Sequence, residues 1–498
     1  MDWINRIGNW NPQFLRECRG NLKPRNVVAT LGISAIFQIL LCFLIFQNSQ
    51  AFPQQATPWL DTGRFFTWAL PYFLFIIGGY YIVSDLAQEE KKGTLNFIRL
   101  SPRPAREILL GKLLGVPMVP YLVVLSVIPL HALSLIQIAA PVSFILSYYS
   151  LLVVSTFFCY SLALLAGITR QLQPQKTSTA IAFSGLSLFL FAPLFMLWNT
   201  NISWLNIGDA LGLFNTGHAL VSSQWLYVTI SDHSLLAYGF TLVNLLIAIA
   251  LVWCMLERLF HQPKTTFISK RLSYLLTAYV NVFVWGFFQH RDAMENWEPF
   301  IGAAVLYGVN FGLILLLLLA LTPHRQQLFD WLNYPKINMA TRVWADKSPA
   351  FTAIGINILI ASLLVMPSLL LRNQTSLPPV YLLIMPLSIV LSWLIYAALT
   401  QIIFTTQVRS PALWSAGTTL LLIIVPLSIL GIFQKGDSLN PLWLLYRTLF
   451  GYPFYDFTHY GFLAVICLGV CLQGIILMAL LVVLRRRLRR LRALVQAV

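Results

Sequence analysis

Residues 461–492 read GFLAVICLGVCLQGIILMALLVVLRRRLRRLR. No side chain from 461 to 484 is charged. At about 1.5 Å of rise per residue, that run is long enough to cross a hydrocarbon layer of about 30 Å as a helix. It is apolar on every side, whereas the strand of a membrane barrel alternates apolar and polar residues. Read outward from here, the chain yields twelve spans: 27–46, 66–84, 113–137, 144–168, 178–198, 234–256, 272–289, 300–321, 351–371, 379–403, 412–433 and 461–484. The composition agrees. Of 498 residues, 58% are hydrophobic and 10% charged, against roughly 25% charged in soluble domains. The expected fold class is all-α: a polytopic membrane protein of about twelve helices in two six-helix repeats.

The formal net charge of +16 would suggest a nucleic-acid partner on a soluble protein. Here it follows the positive-inside rule, and no nucleic acid is expected. With both termini inside, the cytoplasmic segments carry nearly all the Lys and Arg, and the outer segments carry Arg64, Arg291, Arg372, Lys435 and Arg447. The short span 272–289, with Asn281 and Gln289, is required. Without it, the basic segments that follow would lie outside. Met1 to Arg25 is polar and charged, so the first span is expected to act as an uncleaved anchor in the inner (plasma) membrane. The arginine tail after 484 reads as an orientation anchor that attracts anionic membrane lipids. Of the cysteines, Cys42, Cys159, Cys254, Cys467 and Cys471 lie in apolar runs and Cys18 in the basic N-terminal segment. No disulfides are expected.

The chain repeats one plan. Residues 1–26 form a cytoplasmic amphipathic segment, 27–256 a first six-span unit, 257–271 a linker, 272–484 a second unit and 485–498 the arginine tail. Each unit has a long inside loop after its second span (85–112 and 322–350). Each also has a long outer segment after its fifth (199–233 and 434–460). The outer segments carry Trp204, Phe214, Trp225, Trp443, Tyr446, Tyr452 and Tyr455. They are expected as interfacial helices at headgroup level, over a path between the halves.

The strongest local pattern is QEEKKGTLNFIRLSP at 88–102, followed by REILLGK at 106–112. Gly93 breaks a charged turn. A short helix follows, with Leu95, Ile98 and Phe97 as its apolar strip. Ser101-Pro102 ends that helix, because the residue before proline leaves the helical region. An amphipathic helix under the bilayer suits docking into a groove of a soluble partner. This pattern resembles the coupling-helix region of type-2 ATP-binding-cassette (ABC) exporter permeases. Asn11-Pro12 followed by Arg16-Glu17 is similar to the family's N-terminal connecting helix. The resemblance covers the first unit well. It implies that Glu89, Glu90, Gly93, Thr94, Leu95 and Ile98 lie in or beside the contact with an ATPase, and that Arg16 and Glu17 belong to the connecting helix. It also implies a separate ATP-binding subunit that carries ATP and Mg, and transport in the direction of export.

The second inside loop departs from the pattern. It has no Gly-Thr-Leu, although Leu328, Phe329 and Leu332 provide an apolar strip and Asp346 to Pro349 stands to cap the next span. Two arrangements stay open at this point. One is a fused pseudo-dimer with one degenerate docking site. The other is an accessory second half with two whole chains paired as a homodimer. No phosphate-cradling Gly-x-x-x-x-Gly-Lys-Ser/Thr loop occurs, and no catalytic, cofactor-binding or metal-ligating set is expected in this chain. An ion-coupled transporter would need ionisable groups at membrane depth, where the spans offer only Asp85 and Glu257 at their edges. The interiors carry Asn244, Asn310, Asn357 and Gln401, suited to hydrogen bonds between helices. A membrane-embedded lipid or glycan transferase would have to use Asp209, His218, Asp232 and His233, which show no recognisable spacing.

Overall fold

A computed structural model describes residues 10–51, 57–169, 224–226, 228–229, 234–262, 265–287, 299–323, 325–332, 343–371, 379–406 and 463–496, with isolated positions at 184, 187, 408–422 and 445. The expected spans 178–198 and 412–433 lie largely outside these residues. So do Asp209, His218, Asp232 and His233, and most of the two outer segments. The chain divides into two compact units, one of residues 1–224 and 228–264, the other of 225–227 and 265–498.

The first unit contains α1 (Pro12–Asn21), α2 (Pro24–Ala51), α3 (Pro58–Phe73), a π-helical turn (Leu74–Gly78), α4 (Gly79–Lys92), α5 (Thr94–Arg99), α6 (Ala105–Gly115), α7 (Met118–Gln137), α8 (Val142–Thr169) and α9 (Ser234–His261). Two two-residue strands, Gln224–Trp225 and Val228–Thr229, precede α9. The second unit contains α10 (Lys270–Phe287), α11 (Pro299–Leu321), α12 (Arg325–Leu332), α13 (Ala350–Leu371), α14 (Pro379–Phe404) and α15 (Leu463–Gln496). Among the described residues, seven stretches are long and apolar enough to cross a membrane: Pro24–Asn48, Pro58–Lys92, Met118–Gln137, Val142–Thr169, Leu235–His261, Leu387–Phe404 and Ala464–Ala493. This is the construction of a helical membrane protein.

Three elements differ from the sequence expectation. The span expected at 113–137 is split, because α6 ends at Gly115 and α7 begins only after Pro117. The arginine tail is not separate from the last span, since α15 continues through it to Gln496. With no proline or glycine after Gly474, nothing in the sequence stops that helix. The span expected at 66–84 starts earlier, at Pro58, and is not a plain α-helix. Pro71 has no N–H to donate to the carbonyl of Thr67 four residues back. The Tyr148 hydroxyl of α8 donates to that carbonyl instead, at 2.8 Å. Just beyond, the ladder widens into the π turn, where the Tyr160 hydroxyl donates to the Leu74 carbonyl at 3.1 Å. A Cβ at Gly78 would collide with the Tyr160 ring, so glycine is what lets α8 lie against the irregular turn. Buried backbone is thereby satisfied from a neighbouring helix, as a low-dielectric interior requires.

Polar side chains join the helices inside each unit. His131 of α7 lies 3.0 Å from the Thr67 hydroxyl and 2.8 Å from that of Tyr149. In the second unit, Asn281 and Asn310 exchange two amide bonds of 2.9 and 2.8 Å. The Asn357 side chain bonds to Thr277 and Ser273. Gln401 accepts the first N–H of α13, from Ala350, at 2.9 Å. Asn310, Asn357 and Gln401 join helices as expected, and Asn244 donates to the Phe240 carbonyl of its own helix. The Asp346 carboxylate accepts the Lys270 N–H at the start of α10, at 2.9 Å.

Candidate functional site

The candidate site is the polar end of the first unit, where α1, α4, α5 and α6 meet. α1 starts at Asn11, whose side chain accepts the Phe14 N–H at 3.0 Å, with Pro12 in the first turn. This is a standard helix start. The same Asn11 amide donates to the Glu107 carbonyl of α6 at 2.6 Å. At the other end of α1, the Asn21 amide donates to the carbonyls of Gly115 and Val116 at 3.3 Å. α1 therefore runs parallel to α6, fastened at both ends.

Two glycines permit the contact. A Cβ at Gly111 would lie 2.6 Å from Asn11 Oδ1 and 2.8 Å from the Phe14 backbone nitrogen. A Cβ at Gly115 would lie 2.6 Å from Glu17 Cβ. The GKLLG of α6 is thus a small-x-x-x-small groove for α1, of the kind that lets helix backbones approach closely.

Lys112, between these glycines, is fully buried. Its Nζ lies 2.6 Å from the Asp85 carboxylate, 2.7 Å from that of Glu89 and 3.9 Å from that of Glu17. Arg16, half exposed, pairs with Glu17 at 2.8 Å and also with Glu89. Charge is retained in so dry a place because every member is paired. The three carboxylates stand close enough together to hold a cation, and the lysine ammonium fills that position. One cluster therefore ties α1 (Arg16, Glu17), α4 (Asp85, Glu89) and α6 (Lys112) together.

α4 ends at Gly93, whose φ of 74° is left-handed, a conformation that favours glycine. Its N–H reaches the Glu90 carbonyl at 3.0 Å, and the Thr94 hydroxyl donates to the Glu89 carbonyl at 3.2 Å. The chain turns sharply into α5. There the expected apolar strip splits. Leu95 points inward and is buried, and Ile98 is half-buried. Phe97 and Leu100 point outward, 80% and 85% exposed. Arg99 lies over the Phe260 ring at 5.6 Å, and burial pushes its pKa down. Arg106 pairs with Glu257 of α9.

The structure thus gathers Arg16, Glu17, Glu89, Thr94 and Leu95 around one junction but turns Glu89 and Leu95 inward, where neither can meet a partner. Half-buried Glu90 and exposed Gly93 and Thr94 remain at the surface, beside Phe97 and Leu100. Asn21 and Gly115 had no part in the sequence reading, and Leu100, Gly111 and Lys112 entered only as members of the quoted pattern. Only the glycine spacing within GKLLG signalled a role.

The corresponding loop of the second unit is built differently. Leu328, Trp331 and Leu332 of α12 are buried. Trp331 and Leu332 pack with Leu491, and Phe329 and Leu488 close around them. The apolar strip expected on this loop is covered by the chain's own last helix. No protein-family model, curated protein or solved structure matches this chain.

Proposed function

We propose that this chain is the transmembrane permease of an ATP-driven ABC exporter of type-2 kind, working with a separate ATP-binding subunit. In this reading it crosses the inner membrane twelve times in two six-helix units, with both termini in the cytoplasm. The reading rests on α5. This short helix presents Phe97 and Leu100 to solvent and is held from behind by the ion-paired junction of α1, α4 and α6. An exposed apolar pair on a rigid mount suits transmission of a push from a soluble partner, because little motion is lost within the mount.

The ion-coupled alternative finds less support. The two acids at the span edges are both engaged, Asp85 with Lys112 and Glu257 with Arg106. The test is co-purification with an ATP-binding subunit encoded beside the chain. A Phe97→Ser/Leu100→Ser double variant should retain roughly tenfold less ATPase or lower still, the usual effect of removing an interface hot spot. Both side chains are exposed, so membrane insertion should be unchanged. Undiminished ATPase retention would remove the assignment.

A further inference from the structure

The last helix continues past its apolar run as one piece, and its cytoplasmic end carries two faces. Leu484 and Leu491 are buried and Leu488 partly so, at the i, i+4 and i+7 positions of one side. Leu491 and Leu488 pack on α12. Arg487 donates to the Ile402 carbonyl near the end of α14 at 3.3 Å, where a cation also complements the helix dipole. The other five arginines, Arg485, Arg486, Arg489, Arg490 and Arg492, are exposed. There is no acidic residue anywhere in α15, and among the described residues none of the five has an ion-pair partner. Arg485 faces Arg489, and Arg486 faces Arg490, at a spacing where like charges oppose helix formation.

We infer that this arginine face is a binding surface for the phosphate headgroups of anionic lipids. Its level favours lipid over other anions. At about 1.5 Å per residue, the five positions lie within about 12 Å of the end of the apolar run. The headgroup zone adds about 5–8 Å on each side of the hydrocarbon, and long arginine stems extend the reach toward it. Orientation alone would need only charge on a loose tail. Here the guanidinium forks stand on a helix fixed by Leu491 and Arg487, the form suited to two-point phosphate recognition. This inference stands independently of the transport reading.

The test uses the full-length chain in neutral detergent, titrated with phosphatidylglycerol or phosphatidylcholine. Retained lipid is counted by native mass spectrometry. In the variant R489Q/R490Q/R492Q, Arg485 to Arg487 still secure orientation. Its phosphatidylglycerol affinity should fall by roughly fivefold per arginine, about a hundredfold in all, while phosphatidylcholine retention stays level. A variant with lysine at the same three positions keeps the charge and should keep most of the binding. Equal phosphatidylglycerol retention by the wild-type and glutamine forms would reduce the face to an orientation anchor and overturn the inference. Equal loss by the glutamine and lysine forms would still support the inference, placing the recognition in the guanidinium forks rather than in charge alone. Tighter binding of a polyglutamate peptide than of phosphatidylglycerol would transfer the surface to an acidic polypeptide.

Discussion

Lys112 adds a buried charged link among α1, α4 and α6 to the hydrogen bonds that fasten α1 at both ends. Truncation to alanine would leave three carboxylates within 4.8 Å of one another, with Arg16 as the remaining cation. Breaking a buried pair in this way costs about 3–5 kcal/mol. Lys112→Ala should therefore lower the melting temperature and open α1 to trypsin at Arg16 and Arg19. Lys112→Met combined with Asp85→Asn and Glu89→Gln should recover much of that loss. A Lys112→Ala protein with unaltered melting and cleavage would refute the cluster's role. Lys270 carries a different consequence. Burial lowers its pKa to about 8 from 10.5, with Asp346 pulling the other way. Between those values the unfolded chain binds a proton that the folded chain does not, so stability should rise with pH across that window and be flat just below it. A rise of roughly 1–3 kcal/mol is expected, and Lys270→Met should abolish it; a pH-independent melt of the wild type would contradict the assignment. Neither lysine was legible from the sequence as a buried group. A lysine beside the end of an apolar run reads as an interfacial anchor. Only the approach of α1 to α6, and of the 346–349 segment to α10, takes these two out of water.

Helix α3 with its π turn shows how a visible breaker is absorbed by invisible partners. Pro71 was plain within the expected span, but the tyrosines that repair the backbone lie on α8, far along the chain. Tyr148→Phe would leave the Thr67 carbonyl buried without its donor, at a cost of about 1–3 kcal/mol. Pro71→Ala supplies an N–H for the same carbonyl. It should therefore be less harmful, or even favourable, in the Tyr148→Phe background than alone, and a double-mutant cycle measures that coupling. Strict additivity would mean that the two donors do not compete. The same logic explains which helix ends were legible. Gly93 and the Ser101-Pro102 stop are local signals, and α5 ends just before Ser101-Pro102, whereas α4 runs on to Lys92, past the span end expected at 84. The start of α13 is capped by Gln401 and the start of α10 by Asp346, pairings that no local pattern specifies.

At the scale of the whole molecule, the sequence reading gives both units one plan, while the described loop helices α5 and α12 differ in exposure. Their common order of spans and loops was read from hydropathy and charge, because both are properties of contiguous segments. Which loop helix stays open was not, because α12 is covered by residues from the far end of the chain. α5 keeps Phe97 and Leu100 bare, while Trp331 and Leu332 lie beneath Leu488 and Leu491. If α5 is the docking element, the described residues of each chain offer one such surface. In the proposed reading, two ATP-binding subunits close on each other, and each needs its own point of attachment. The asymmetry therefore favours two copies of this chain with two ATP-binding subunits over one chain with two. Native mass of the complex, purified after co-expression, distinguishes the two arrangements directly. The two-and-two mass is expected, and Phe97→Ser/Leu100→Ser should release both ATPases together. A mass of one chain with two ATPases would require α12 to dock as well, and the helix that covers it would then have to move aside when the partner binds.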